Sequence, residues 1–157
     1  MMTYGLKLIC SLGVAVALGG SVASAAGEFD NAIKARKAVM SLYAWNLGQL
    51  AAMAKGEADY NADAATTAAE NIRILASMNN GSAWPQGSDS TALPGQTRAK
   101  VEAWTTYPES AEIGKQLIVA ATAMSEAAGS GVEGVRSNIG AIGGSCKACH
   151  EKFRESD

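Results

Sequence analysis

The stretch Gly143–Asp157, GGSCKACHEKFRESD, closes the chain and decides how the rest of the sequence is interpreted. Cys146, Cys149 and His150 form the pattern C-x-x-C-H, and His150 is the only histidine among the 157 residues. On a helix, positions i, i+3 and i+4 share one face. We therefore expect the two thiols and the imidazole to project in the same direction, with Phe153 extending that face.

Three chemistries use two cysteines and a histidine at this spacing. A closed zinc site needs four protein ligands, so a carboxylate would have to complete the set. A thioredoxin-like redox pair needs a βαβ context, which the sequence lacks. Covalent attachment of c-type haem needs only what is present, because both thiols add to the haem vinyl groups and the imidazole binds the iron. The motif therefore predicts one haem c per chain. A haem-free helical binding protein is the alternative if the motif is accidental.

The first 26 residues have the pattern of a secretory signal peptide. Lys7 supplies the positive region, Leu8–Gly20 is a short apolar run, and Ala23-Ser24-Ala25 offers a cleavage site. A membrane-spanning helix needs roughly 20 apolar residues, so a retained anchor is the weaker interpretation. We predict an exported mature domain over residues 27–157, without a membrane segment after cleavage.

Charge and composition exclude several classes of function. The mature chain would carry 12 basic residues against 15 acidic ones, and no basic patch is visible, so we expect no nucleic-acid partner. Only two cysteines remain, which rules out a disulfide framework. A single histidine engaged with iron leaves no general base, so we expect no enzyme activity.

Apolar residues recur at three- and four-residue intervals along most of the mature chain, a spacing typical of amphipathic helices. Gly81–Thr97 is rich in proline, glycine and serine and is predicted to be a long loop. Helices with mostly short connections favour an all-α, antiparallel four-helix bundle. The predicted helices are Phe29–Ala54, Asp59–Met78, Pro108–Ala128 and Val132–Arg154.

Three stretches together resemble the cytochrome c prime family, the class II cytochromes c. They are GGSCKACHEKFR at 143–154, AIKARKAVM at 32–40 and TRAKVEAW at 97–104. The resemblance spans essentially the whole mature chain. Val101 and Ile113 depart from the family pattern, where proline and an aromatic residue are common. The resemblance implies a four-helix bundle with haem c near one end, in the periplasm, and a homodimer packed through the first two helices.

The resemblance also implies roles for residues outside the terminal motif. Met40 occupies the family's distal position, on the side of the iron opposite His150. Arg36 lies one helical turn earlier on the same face, where its guanidinium can pair with a haem propionate. Lys100 and Glu102 are weaker candidates for the propionate side. The alternative for Arg36 is a place on a solvated face.

The identity of the sixth iron ligand separates two functions. Because no second histidine exists, a thioether is the remaining soft donor, and it would favour reduced iron. With His150 and Met40 as ligands, we expect one-electron transfer with redox partner proteins. Alternatively, Met40 only packs over a five-coordinate, high-spin iron that binds nitric oxide or carbon monoxide, since methionine often fills cores. The other methionines are predicted to lie in the core: Met53, Met78 and Met124.

Overall fold

The computed structural model describes residues 27–156 as four long helices joined in sequence. This confirms the predicted all-α bundle. The predicted signal peptide, including its cleavage site, lies outside the described residues. The helices are α1 (Asp30–Lys55), α2 (Ala62–Ser77), α3 (Tyr107–Ala127) and α4 (Val132–Phe153).

Local chemistry sets the helix ends. α1 ends at Gly56, whose φ of 75° lies in the left-handed region that glycine adopts without strain. The second helix begins three residues later than predicted, because Asn61 caps it by accepting a hydrogen bond from the Ala64 amide at 2.9 Å. Pro108 lies in the first turn of α3, where its missing N–H costs nothing.

The four helices pack in a ring in which each contacts two neighbours. α1 packs against α2 and α4, and α3 packs against the same two helices. The largest fully buried side chains come from all four helices, and alanines fill the spaces between them, which allows close approach. These large core residues are Leu50, Ile72, Met124, Val135 and Ile142.

The methionines divide between core and surface. Met53 and Met124 are buried, as predicted. The prediction for Met78 is wrong: this residue is 43% exposed, because it caps α2 just beyond the last helical turn.

A long segment, residues 78–106, crosses from α2 to α3 at one end of the bundle. It contains a 3-10 turn, Gly81–Ala83, and a four-residue helix, Glu102–Thr105. The Lys100 amide donates to the Phe153 carbonyl at 2.9 Å, which ties the segment to the end of α4. The start of α1, the crossing segment and the end of α4 therefore meet at the same end of the bundle. None of the helices within residues 27–156 has both the length and the apolar character needed to span a membrane.

Candidate haem-binding site

The C-x-x-C-H motif lies in the last two turns of α4. Cys146 and Cys149 are partly buried free thiols, with no disulfide between them. Cys146 packs against the hydrophobic core, whereas His150 is exposed. Phe153, the last residue of α4, is buried. The predicted common face of α4 is thus partly buried at its two thiols and exposed at His150.

The environment keeps all three motif side chains uncharged at neutral pH. Burial raises the pKa of the Cys146 and Cys149 thiols. Burial, followed by the positive charges of Arg154 and Arg98, lowers the pKa of His150. A neutral imidazole keeps the lone pair that binds a metal.

Tyr43 links α1 to the motif. It packs against the core beside Cys146, and burial followed by the Cys146 charge raises its pKa to about 12. No local signal in the sequence pairs Tyr43 with Cys146, which lies 103 positions further along the chain.

The Tyr43–Cys146 neighbourhood fixes the register between α1 and α4. These two helices run in opposite directions and pack against each other. Moving three residues back from Tyr43 reaches Met40, and moving three forward from Cys146 reaches Cys149; each step is about 4.5 Å along the axis. Met40 therefore lies within about one helical turn of the level of the C-x-x-C-H motif. Its side chain is 42% exposed, so it is not a core filler.

Arg36 is buried, with only 4% of its surface exposed, so the solvated-face alternative is wrong. Its guanidinium donates to the Ser88 hydroxyl at 2.8 Å, the Ser88 carbonyl at 2.6 Å and the Thr97 hydroxyl at 2.6 Å. Burial lowers the pKa of Arg36, against a smaller raising effect of Asp89. Arg36 thus holds the crossing segment onto α1, a role that its sequence position does not reveal.

Two tryptophans complete this cluster. The Trp84 and Trp104 rings lie 5.9 Å apart between centroids and are tilted by 56°. The Arg36 guanidinium stands 4.9 Å from the Trp84 centroid and 5.8 Å from that of Trp104. The Trp104 indole N–H donates to the Trp84 carbonyl at 2.9 Å. Both tryptophans therefore pack within the crossing segment.

The structure brings Lys100, but not Glu102, beside the motif. An open groove of about 410 Å³ runs along the outer side of His150, and Lys100 is among the residues lining it, together with Arg98 and Arg154. Glu102 is exposed at the start of the short helix, outside this lining. Pairing of Lys100, Glu102 or Arg36 with a propionate stays a prediction.

The donor set fits haem c. Two uncharged thiols one helical turn apart, followed at once by a neutral imidazole, match the two vinyl groups and the iron of one haem. Within residues 27–156, no group of three or more histidine, cysteine or acidic side chains could hold a metal ion, which argues against the zinc alternative. The same residues contain no βαβ unit, which argues against a thioredoxin-like redox pair. When haem is bound, Cys146 and Cys149 would hold the ring and His150 the iron.

A four-helix bundle with a haem-attachment motif on its last helix defines a class of c-type cytochrome. The family model described as Cytochrome C' matches residues 31–154. A cytochrome c' of Cereibacter sphaeroides is 34% identical over 132 residues, which cover 84% of this chain and 88% of that protein. The chain therefore belongs to the cytochrome c' family and carries one covalently bound haem c.

Solved structures agree with this assignment. The cytochrome c' of Rhodobacter sphaeroides has a TM-score of 0.79 at 33% identity, covering 82% of this chain and 98% of that one. A cytochrome c' described as having ligand-controlled dimer dissociation has a TM-score of 0.75 at 29% identity, covering 82% and 97%. A carbon-monoxide-bound variant from Alcaligenes xylosoxidans has a TM-score of 0.70 at 25% identity, with the same coverage.

Proposed function

We propose that this protein is a periplasmic one-electron carrier whose haem iron is held by His150 and Met40, and that it is not an enzyme. The observation that carries the proposal is that Met40 lies on α1, within about one turn of the level of the C-x-x-C-H motif on α4, and is not part of the core. Met53 and Met124 are buried among core side chains and are unavailable as ligands.

Electron transfer in the proposed protein depends on how firmly the polypeptide holds the two candidate iron ligands, Met40 and His150. The bound iron supplies the one-electron chemistry, and two fixed protein ligands keep its reorganisation small. Met40 stands on a 26-residue helix whose early part is tied to the crossing segment through Arg36. His150 stands on α4, whose end is tied to the same segment. Both candidate ligands are thus held on elements joined by a common loop.

The spectrum of the purified reduced protein tests the proposal. A low-spin ferrous spectrum that does not change on addition of carbon monoxide is expected. Met40→Ala should convert the centre to high spin and open it to carbon monoxide. Met78→Ala is the matched control, because Met78 has nearly the same exposure but follows α2. If Met40→Ala leaves the spectrum unchanged, Met40 is not a ligand.

Gas binding is the second candidate function. It is favoured by the carbon-monoxide-bound structure of the Alcaligenes xylosoxidans relative. In that case Met40 would only cover a five-coordinate iron, and the wild-type ferrous protein would be high-spin and would bind carbon monoxide or nitric oxide directly. The same spectra therefore separate the two functions.

We further propose a homodimer formed through α1 and α2. Apolar side chains are exposed on both helices, with Leu42 and Trp45 on α1 and Ile74 on α2, and Trp45 is 69% exposed. The relative with ligand-controlled dimer dissociation supports this proposal. Trp45→Glu should yield a monomer in sedimentation experiments, while Val119→Glu, on α3 and equally exposed, should not.

A further inference from the structure

A short antiparallel pairing closes the haem end of the bundle. Residues 98–100 of the crossing segment run beside residues 153–155 at the end of α4. The Glu155 amide donates to the Arg98 carbonyl at 2.8 Å. The Arg98 side chain strengthens the same pairing, because its Nε and one terminal nitrogen donate to the Glu155 carbonyl at 3.1 Å and 2.6 Å. The guanidinium of Arg98 is therefore fixed against the end of α4.

This fixed charge lies in the groove that runs along His150. Besides His150, the groove is lined by three cations and two acids: Arg98, Lys100, Arg154, Glu151 and Glu155. The two acids are engaged with other side chains, Glu151 with the Lys147 ammonium at 3.6 Å and Glu155 with the Ser90 hydroxyl at 3.0 Å. With three cations against two acids, the groove places His150 in a region of net positive charge.

We propose that Arg98 raises the reduction potential of the haem iron through its fixed positive charge in the groove beside His150. This inference deepens the proposed electron transfer and rests on His150 as an iron ligand, but it requires no particular sixth ligand. When the iron accepts an electron from a partner protein, the haem centre loses one positive charge. A neighbouring positive charge therefore destabilises ferric iron more than ferrous iron, and the reduction potential rises.

Removing the charge tests the proposal. Two elementary charges about 10 Å apart, at an effective dielectric constant of about 50, change a one-electron equilibrium about threefold. Arg98→Gln removes one charge, whatever else the guanidinium contacts, and keeps an N–H donor. It should lower the potential, with a reduction equilibrium constant about threefold smaller, equivalent to about 28 mV for one electron. The difference from the wild type should shrink as salt is added, because salt screens exposed charges.

Two further variants separate the charge from its surroundings. Arg98→Lys keeps the charge but loses the paired hydrogen bonds of the guanidinium, so its potential should stay near the wild-type value even if the protein is less stable. Arg136→Gln is the matched control for loss of a charge. Arg136 lies 14 residues before His150 on α4, about 21 Å along the axis. This separation exceeds the screening length of about 10 Å at 0.1 M salt, so the control should leave the potential unchanged.

Spectroelectrochemical titration of the purified holoproteins measures these potentials, and circular dichroism verifies that each variant is folded. Equal potentials in the wild type and Arg98→Gln overturn the proposal. An equal fall in Arg98→Gln and Arg98→Lys also overturns it, because the pairing rather than the charge would then be responsible. If Arg98→Gln does not retain haem, Lys100→Gln removes a charge from the same groove, and an unchanged potential in that variant overturns the proposal.

The failure of this inference is distinguishable from the failure of the proposed function. A high-spin ferrous wild type would refute ligation by Met40, yet Arg98→Gln should still lower the potential, because the iron remains bound to His150. A low-spin wild type whose potential is unchanged by Arg98→Gln refutes only the role of Arg98.

Discussion

Replacing Arg36 by methionine tests how the crossing segment is held at the haem end of the bundle. The substitution removes three hydrogen bonds from a charged donor, to two oxygens of Ser88 and one of Thr97. At about 1.5 kcal/mol each, the loss is about 4.5 kcal/mol. Contacts with the Trp84 and Trp104 faces add about 1 kcal/mol. Methionine carries no charge that must be desolvated on folding, so the variant regains roughly 2 kcal/mol of the free energy of unfolding. The net loss is about 3.5 kcal/mol.

Urea unfolding of the purified holoprotein, followed by circular dichroism, measures this loss as a lower midpoint at unchanged slope. Lys37→Ala is the matched control, because the neighbouring Lys37 makes one exposed hydrogen bond to the same segment, to the Gln96 carbonyl at 2.8 Å. That variant should change the free energy of unfolding by less than about 0.5 kcal/mol. If Arg36→Met costs no more than Lys37→Ala, the cluster does not hold the segment.

Three other predictions have distinct expected results. A Cβ added at Gly134 would collide with a carbonyl at the end of α3, whereas Gly140 has open space around it. In thermal unfolding, Gly134→Ala should be less stable than the wild type and Gly140→Ala more stable, by up to about 1 kcal/mol. Equal effects of the two substitutions would refute this prediction. Met124→Ala should cost about 2–5 kcal/mol and Met78→Ala almost nothing, in urea titrations, since only the first is buried; similar losses would contradict that placement. Burial raises the pKa of Tyr43 from 10.0 to about 12, so as the pH rises the unfolded chain loses this proton before the folded protein does. The free energy of unfolding should therefore fall between pH 10 and 12 in the wild type, and less steeply in Tyr43→Phe. Parallel curves for the two proteins would rule out the effect.

The haem-attachment motif and the helices could be predicted from sequence because their causes are local. Cys146, Cys149 and His150 belong to two turns of one helix, so their common face follows from helical geometry. The helix bounds follow from apolar spacing and from residues such as Gly56 and Pro108, which act on their own backbone. The predicted start of α2 differed from the structure, because the Asn61 side chain accepts a hydrogen bond from the Ala64 amide and so caps the first turn.

The tertiary structure alone decided which distant groups meet. The partners of Arg36 are 52 and 61 positions away, and nothing in the spacing of the sequence predicts that Ser88 and Thr97 accept its hydrogen bonds. The level of Met40 relative to His150 depends on the register between the first and last helices, which packing fixes. Sequence patterns report forces within a few residues, whereas register and loop anchoring depend on contacts between segments far apart in the chain.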